Sequence, residues 1–235
     1  MQGVIIVGTD TEIGKTCFGT GLVYRLLTAG LDVQPLKLIA AGGREVNGVF
    51  KNEDAEAYER LVQGSIPYEK INPICYEPPI SPHLAANELG ESLSVQRLVA
   101  ATKSSLVDHK DIVILEGAGG LMQPLNDKET FLDVIKVLGW PVIFVVGLRL
   151  GCLNHTLLSM KALKHENIPC LGWVANILDQ NMLYLSENIK TLQALLPIPL
   201  VATIPYLQPF SVEQVARHIN VDFITKHLRV AAATP

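Results

Sequence analysis

The sequence is poor in aromatic residues and in charges, and it has no long apolar run. Phe, Trp and Tyr make up 6% of its 235 residues and charged residues 18%, whereas hydrophobic residues make up 49%. This composition excludes a disordered chain and predicts a large, aliphatic core. No apolar run reaches the ~18 residues of a membrane span, and the first residues follow a strand pattern rather than that of a secretory signal. We therefore expect a cytoplasmic protein without a membrane partner.

Charge and cysteine content exclude two more classes of protein. The net charge is −4, with 19 Lys and Arg against 23 Asp and Glu, which argues against a nucleic-acid partner bound through bulk positive charge. The four cysteines form no C-x-x-C pair, so we expect reduced thiols. The histidines show no metal-ligand spacing. A local basic site for an anionic ligand remains compatible with this composition.

Short β-branched runs alternate with longer helical segments along the chain. Several of these runs, such as Val4-Ile-Ile-Val7, are apolar on both faces, which is typical of parallel strands covered by helices on both sides. The alternation requires crossover connections and predicts a doubly wound, mostly parallel α/β sheet with helices on both faces. Strands are predicted at residues 4–7, 33–39, 112–115, 142–146, 171–175 and 200–204, and helices at residues 15–28, 94–106, 130–138, 154–164 and 182–195.

One proline-rich stretch interrupts this alternation. Residues 65–82 contain five prolines but no polar low-complexity composition, so we expect a long ordered loop or lid rather than a linker between domains. The chain is accordingly predicted to be a single domain, 1–235. Its core, 1–207, holds every motif described below, and residues 208–235 form a C-terminal helical segment.

A glycine-rich loop, GTDTEIGKT at residues 8–16, follows the first strand and opens a helix. Backbone N–H groups at such a helix start bind phosphate; Lys15 would reach the β- and γ-phosphates, and the Thr16 hydroxyl would ligate Mg²⁺. The first glycine comes one residue early, so a variant P-loop NTPase-like fold is predicted. A glycine-rich turn without a ligand is the rival interpretation. The acidic residues Asp10 and Glu12 indicate that a cationic group or a metal also approaches the loop.

Three charged residues stand where a sheet of this kind binds ligands. Lys37 ends the second strand and would point into the ligand crevice of an open α/β sheet. Glu116 ends the third full strand and is followed by Gly-Ala-Gly-Gly. Its placement resembles that of the Walker-B acidic residue, which holds Mg²⁺ directly or through water. Asp54 lies at the start of a helix. A solvated lysine, an ordinary glycine-rich turn and a helix-terminal carboxylate are the respective alternatives.

Two later segments carry weaker signals. The helix start from Gly151 to Asn154 offers free N–H groups to a carboxylate, although Asn154 alone would be a common N-cap. Cys152 has no partner histidine and is not predicted to be a nucleophile. Asn176, at the end of the fifth strand, could read a base edge or simply form a turn. The backbone of residues 204–207 could complete a base pocket.

These motifs occur in the order in which one family carries them. From Val4 to about Leu207 the chain closely resembles ATP-dependent dethiobiotin synthetases, above all in the strings at residues 8–16 and 151–155, GTDTEIGKT and GCLNH. The resemblance implies a P-loop ligase that acts in the penultimate step of biotin synthesis. The other motifs that carry it are Lys37 before Ala-Ala-Gly42, Asp54, Ser81-Pro-His83, Glu116-Gly-Ala-Gly-Gly120, Gly172-Trp-Val-Ala-Asn176 and Ile204-Pro-Tyr-Leu207.

The resemblance also implies substrates and a reaction. The substrates are 7,8-diaminononanoate, CO₂ or bicarbonate, and ATP. CO₂ forms a carbamate on one amine, ATP phosphorylates the carbamate, and the second amine closes the cyclic urea of dethiobiotin while ADP and phosphate leave. Members of the family are homodimers, and the helix start of one subunit holds the substrate carboxylate for the other.

Residue roles follow from the same resemblance. Lys15 and Lys37 would be catalytic, stabilising the carbamate and the transferred phosphoryl group, and Thr16, Asp54 and Glu116 would hold Mg²⁺. The implied substrate-binding residues are Thr11, Lys37, Ala41, Gly151, Cys152 and Asn154. The implied ATP-binding residues are Glu12, Ile13, Gly14, Lys15, Thr16, Cys17, Asp54, Glu116, Gly117, Ala118, Gly119, Asn176, Pro205, Tyr206 and Leu207.

The chain departs from the family pattern near Lys37. The family often has proline and serine where this chain has Leu38 and Ala41. The missing serine hydroxyl removes one possible substrate hydrogen bond, and a bond of that kind to a charged or reactive group is worth about 1.5–3 kcal/mol. The match also weakens beyond Leu207, where Glu213 is a loose candidate for the ribose.

Two other functions compete with this interpretation. A partitioning or septum-positioning ATPase would carry a lysine where Thr9 or Asp10 stands. A nucleotide-sensing module without activity would be expected to lose Lys37 or Glu116.

Overall fold

Six parallel strands form the central sheet of the computed structural model, which describes residues 2–232, with side chains to residue 228. The strands of the chain are β1 Gln2–Gly8, β2 Val33–Lys37, β3 Ile39–Ala41, β4 Arg44–Val46, β5 Val49–Lys51, β6 Ile74–Tyr76, β7 Ile112–Glu116, β8 Val142–Leu148, β9 Cys170–Ile177 and β10 Leu200–Ile204. The sheet order is β10-β9-β8-β1-β7-β2, with every neighbouring pair parallel. The predicted doubly wound sheet is therefore confirmed.

Helices cover both faces of this sheet because its strands are apolar on both sides. In β1, Val4 and Ile6 pack towards α1, α2, α9 and α10, whereas Ile5 and Val7 pack in the core that includes α5, α6, α7 and α8. The predicted helices at 15–28, 94–106, 130–138, 154–164 and 182–195 correspond to α1, α5, α6, α7 and α8. The helix bounds are α1 Lys15–Thr28, α2 Glu53–Val62, α3 Tyr68–Ile71, α4 Pro82–Glu88, α5 Val95–Ser105, α6 Phe131–Leu138, α7 Cys152–His165, α8 Leu185–Leu195, α9 Val212–Arg217 and α10 Val221–Ala232.

The single strand predicted over 33–39 is wrong, because the chain changes sheets at Leu38. β2 ends at Lys37, whose partner Glu116 is the last residue of β7, so the central sheet offers no further partner. From Ile39 the chain instead pairs with Ile74 in the separate sheet β3-β6. β2 lies at the edge of the central sheet, where its proline costs no sheet hydrogen bond.

The proline-rich stretch is only partly the loop that was expected. It contains α3 and β6, and Pro82 is the first residue of α4, a position where its missing N–H costs nothing. The Asn72 side chain ties this stretch to the site, since its Nδ2 donates to the Lys37 carbonyl oxygen at 2.8 Å. The segment at 77–81 does form a loop.

The predicted C-terminal helical segment contains α9 and α10, and its last residues, 233–235, lie outside the described part of the chain. Between residues 2 and 232, no helix combines the length and the apolar character needed to cross a membrane.

Candidate active site

The loop between β1 and α1 lies at the carboxyl edge of the central strands, with β7 and β8 on either side. Gly14 has φ of 89°, and a Cβ there would overlap the Asn176 side chain, so the loop needs glycine at this position. The Lys15 ammonium donates to the Asp10 carbonyl oxygen at 2.6 Å, which folds the side chain back along the loop. The amino end of α1 thus faces the site with its free N–H groups.

A cavity of about 670 Å³ opens beside this loop. It collects residues from the amino end of α1, the ends of β2, β3 and β7, and the start of α2. It also reaches the loop that precedes α4. The lining residues are Thr11, Glu12, Gly14, Lys15, Thr16, Lys37, Ala40, Ala41, Asn52, Asp54, Pro79, Ile80, Ser81, Pro82, Glu116, Ala118, Gly119 and Gln123.

Lys37, Asp54, Glu116 and Thr16 form a cluster at the base of the cavity, which we term the ionic centre. The Lys37 Nζ lies 2.7 Å from Asp54 Oδ2 and 2.6 Å from Glu116 Oε1. The Thr16 hydroxyl donates to Glu116 Oε1 at 2.8 Å. The paired ends of β2 and β7 bring the lysine and the glutamate together, and Asn52 caps the helix that carries the aspartate. The structure therefore joins four residues that are far apart in the sequence.

Charge interactions dominate the protonation of the ionic centre. Burial alone would lower the pKa of Lys37, but the charges of Glu116 and Asp54 outweigh it and hold that pKa above its usual value. Burial alone would raise the pKa of Asp54, but the charge and hydrogen bond of Lys37 hold it below its usual value. Both groups are consequently charged at neutral pH.

Lys15 is in the opposite situation. It is buried, with 6% of its surface exposed, and among the described residues no carboxylate lies as close to it as those that contact Lys37. Burial lowers the pKa of Lys15 to about 8, although the Glu116 charge partly opposes this shift. A bound polyphosphate would supply the negative charge that this ammonium lacks.

The donor set of the ionic centre suits Mg²⁺. Its hydroxyl and carboxylate oxygens are the hard ligands that Mg²⁺ prefers, and its two carboxylates outnumber its one ammonium. Among the described residues, no group of three or more His, Cys, Asp or Glu is placed to hold a metal. The three oxygen-bearing side chains of the ionic centre fit a magnesium ion, which would take its remaining ligands from phosphates and water, as Mg²⁺ does at nucleotide sites.

Several residues at the site escaped the sequence analysis. Tyr58 donates its hydroxyl to Glu116 Oε2 at 2.6 Å, and its position four residues after Asp54 on a helix was an available signal. Outside the cavity lining, Arg149 lies 2.5 Å from Asp10 Oδ2 and forms an ion pair with that acidic residue of the loop. Asn52 and Gln123 line the cavity without any motif to reveal them.

Comparison with known proteins identifies the family. A family model described as an AAA domain matches residues 2–214. An ATP-dependent dethiobiotin synthetase of Pseudomonas paraeruginosa is 40% identical, with 94% of this chain and 97% of the relative covered. The synthetase of Legionella pneumophila is 43% identical over 88% of this chain and 94% of its own. The chain belongs to the dethiobiotin synthetase family. That membership makes it a ligase.

Solved structures of other proteins share the fold of this synthetase. Cobyrinic acid a,c-diamide synthase from Mycobacterium smegmatis has a TM-score of 0.58 at 12% identity, with 98% of this chain and 97% of that chain covered. The MinC:MinD cell division complex of Aquifex aeolicus has a TM-score of 0.53 at 12% identity, with 100% and 97% covered. At such low identity these likenesses show a common P-loop architecture and nothing more.

The start of α7 in the synthetase lies apart from the cavity. Gly151 and Asn154 are exposed and Cys152 is buried, and we term these three residues the α7 corner. Gly151 has φ of 94° at the N-cap position. Within the described chain, none of the three lines the cavity. The structure thus leaves the α7 corner facing outwards.

The residues predicted to hold adenine lie on the other side of the phosphate loop. The Asn176 Nδ2 donates to the Ile13 carbonyl oxygen at 2.9 Å, so this side chain already supports the loop. Pro205, Tyr206 and Leu207 follow β10, and Tyr206 is 41% exposed. Cys17 lies in the first turn of α1, and burial raises the pKa of its thiol to about 11. The thiol is therefore uncharged at neutral pH and is not an activated nucleophile.

Proposed function

We propose that this synthetase forms dethiobiotin from 7,8-diaminononanoate, CO₂ and ATP, as the penultimate step of biotin synthesis. The observation that carries the proposal is the ionic centre. It places the Lys37 ammonium at the base of a cavity whose wall is the phosphate loop. A phosphoryl group held by that loop and an acceptor oxygen held by Lys37 would meet in this cavity. We also propose that the chain, 1–235, is a single domain and that the protein acts in the cytoplasm.

The reaction needs positive charge where negative charge accumulates. One amine of the substrate adds to CO₂ and loses a proton, which gives a carbamate. A carbamate oxygen then attacks the γ-phosphorus and ADP leaves. Finally, the second amine attacks the carbamate carbon, phosphate departs and the urea ring closes with loss of a proton. Lys37 would stabilise the carbamate and the phosphoryl oxygens, and Lys15 would stabilise the β- and γ-phosphates.

Thr16, Asp54 and Glu116 are the residues that would hold Mg²⁺. The ion would neutralise charge on the phosphate oxygens during transfer. The chain's own part is to keep Asp54 ionised through Lys37, whose charge lowers the pKa of that carboxyl against the effect of burial, and to bring the Lys37 ammonium and the Thr16 hydroxyl to the same oxygen of Glu116.

The rest of the substrate pathway is proposed to involve two subunits. The N–H groups and the Asn154 amide at the α7 corner would bind the substrate carboxylate of the partner's site in a homodimer. Thr11 and Ala41 would line the path between the carboxylate and Lys37. The exposed position of the α7 corner supports this arrangement, because it offers these groups to another molecule.

Dethiobiotin formation from labelled bicarbonate tests the function. Purified protein is incubated with ATP, Mg²⁺, 7,8-diaminononanoate and ¹³C-bicarbonate, and the product is examined by mass spectrometry. We expect dethiobiotin with the label in its urea carbonyl and ADP release that depends on the diamine. ATP hydrolysis at the same rate without the diamine, with no labelled product, would instead favour a partitioning-type ATPase and overturn the proposal.

A further inference from the structure

The second oxygen of Glu116 has a partner that the proposed chemistry does not use. Glu116 Oε1 accepts from Lys37 and Thr16 at 2.6 and 2.8 Å, whereas Oε2 accepts from the Tyr58 hydroxyl at 2.6 Å. Both Tyr58 and Glu116 are fully buried. Within the described chain, Tyr58 is the one hydrogen-bond donor to Oε2. The two carboxylate oxygens thus have separate tasks, one facing the cavity and one facing the core.

The position of Tyr58 is set by two helices. It lies four residues after Asp54 on α2, so the same helix face carries both groups to Glu116. On α1, Gly19 leaves room for the phenol, because a Cβ at this residue would overlap the Tyr58 hydroxyl oxygen. Glycine inside a helix is less favourable than alanine by about 1 kcal/mol, and the tyrosine hydroxyl is what fills the space. The packing therefore holds the hydroxyl at one point.

We propose that Tyr58 is a positioning residue, which holds Glu116 so that Oε1 points at Lys37, Thr16 and the Mg²⁺ of the nucleotide. A glutamate at the end of a strand can rotate about its side-chain bonds, and a short hydrogen bond to a charged oxygen removes that freedom. Partners of this kind typically change metal affinity by about 10- to 100-fold. The inference rests on the proposed function in one respect, because the proposed function is what assigns Mg²⁺ to Glu116.

Tyr58→Phe tests the inference because it removes only the hydroxyl. Binding of a non-hydrolysable ATP analogue is measured by calorimetry over a series of Mg²⁺ concentrations, so that no turnover is needed. We expect the half-saturating Mg²⁺ concentration to rise about 10- to 100-fold, with little change in analogue affinity at saturating Mg²⁺. Tyr76→Phe is the matched control, since it removes a 2.9 Å phenol–carboxylate bond to Glu91 outside the cavity.

Gly19→Ala separates positioning from simple core filling. In the Tyr58 chain the added methyl group would displace the hydroxyl, so the Mg²⁺ requirement and the thermal unfolding midpoint should both worsen. In the Tyr58→Phe background the overlap with the hydroxyl is gone, and the nearest remaining atoms, the ring carbon of residue 58 that carried it and the end of the Ile6 side chain, lie 3.0 Å away. Gly19→Ala should therefore change the Mg²⁺ requirement far less in this background. Equal effects of Gly19→Ala on the Mg²⁺ requirement in both backgrounds would overturn the inference.

The outcomes also distinguish this inference from the proposed function. Wild-type protein that binds the Mg²⁺–nucleotide but forms no dethiobiotin would overturn the proposed function, while the Mg²⁺ titration of Tyr58→Phe still decides the role of Tyr58. A Tyr58→Phe variant with the wild-type Mg²⁺ requirement would overturn the inference alone. The inference about Tyr58 would also be overturned if the wild-type protein bound the nucleotide analogue with the same affinity at every Mg²⁺ concentration.

Discussion

The ionic centre and the α7 corner are both proposed to act on the same substrate, yet their structures are of opposite kinds. The ionic centre joins four residues by bonds of 2.6 to 2.8 Å, with Glu116 fully buried. At the α7 corner, Gly151 and Asn154 are exposed to solvent. One region is pre-organised within a single chain. At the other, the Cys152 N–H donates to the Arg149 carbonyl oxygen, whereas the exposed Asn154 has no backbone partner for its N–H within the described chain.

This difference shows where the chemistry demands precision. Charged groups stabilise a transition state best when they are already in place before the reaction. The buried ion pairs of the ionic centre hold its charged groups in this way. Binding of a remote carboxylate tolerates a site completed by a second subunit. Variants in the two regions should therefore separate turnover from substrate affinity.

Loss of the central lysine should have the largest effect. In Lys37→Gln, the amide cannot replace the ammonium between Asp54 and Glu116, and we expect turnover to fall about 100- to 1000-fold. ADP release with 7,8-diaminononanoate and bicarbonate measures this. Lys136→Gln is the matched control, because it removes a 2.6 Å ion pair with Glu166 elsewhere on the molecule. Unchanged turnover in a folded Lys37→Gln variant would contradict the assigned role.

Substitution at the α7 corner should instead affect substrate affinity. Asn154→Ala removes the side-chain amide that is proposed to bind the charged substrate carboxylate. The KM for 7,8-diaminononanoate should therefore rise about 10- to 100-fold. The kcat and the nucleotide affinity should stay close to wild type. Steady-state kinetics measure the split. Asn188→Ala is the control, because it removes a partly buried side-chain amide of α8 that does not line the cavity.

Mixing the two variants shows whether the α7 corner acts across a dimer. A hybrid of Lys37→Gln and Asn154→Ala subunits would contain one site with both changes and one with neither. An equal mixture should therefore recover about a quarter of wild-type activity, with the wild-type KM. If no activity with the wild-type KM returns, although hybrids are detected by native mass spectrometry, the α7 corner acts within its own chain.

The pH dependence of nucleotide binding should report on Lys15. Its pKa is lowered to about 8, and the bound phosphates favour the charged form. Affinity should therefore fall as pH rises above 8, by at most about tenfold per pH unit for one proton. In the free protein the same shift makes stability increase between about pH 8 and 10.5, where the unfolded chain binds more protons. Calorimetry on Lys15→Arg should give a flat profile if Lys15 is the cause.

The smallest effect is expected at Ala41, which lines the same cavity as the ionic centre. Ala41→Ser restores the hydroxyl that the family often has there. We expect the hydroxyl to meet an uncharged group of the substrate, where an added hydrogen bond is worth only about 0.5–1.5 kcal/mol, so the KM for 7,8-diaminononanoate should fall about threefold without a change in kcat. Ala40→Ser, on the neighbouring lining residue, controls for added polarity. Equal effects of both changes would show that no specific bond forms.

The sequence predicts the ionic centre better than its surroundings. Lys37 and Glu116 could be placed together because the carboxyl ends of parallel strands share one edge, and the helical spacing could have added Tyr58 to Asp54. The break at Leu38 could not be foreseen, since it depends on pairing with Ile74 across a long stretch of chain. Long-range pairing of short strands leaves no local pattern.

The amide of Asn176 has a consequence for the choice of nucleotide. Because its nitrogen donates to the Ile13 carbonyl, its oxygen, which receives no N–H from the described part of the chain, is the atom left for a base. An oxygen of this kind only accepts hydrogen bonds, so it would accept from the amino group N6 of adenine or N4 of cytosine and would repel the oxygen that guanine (O6) or uracil (O4) carries at the same ring position. A nucleotide whose base lies against Asn176 would thus be favoured if the base carries an amino group at this position and disfavoured if it carries an oxygen. The hydrogen bond from Asn176 to the Ile13 carbonyl would set that preference, because it fixes the orientation of the amide.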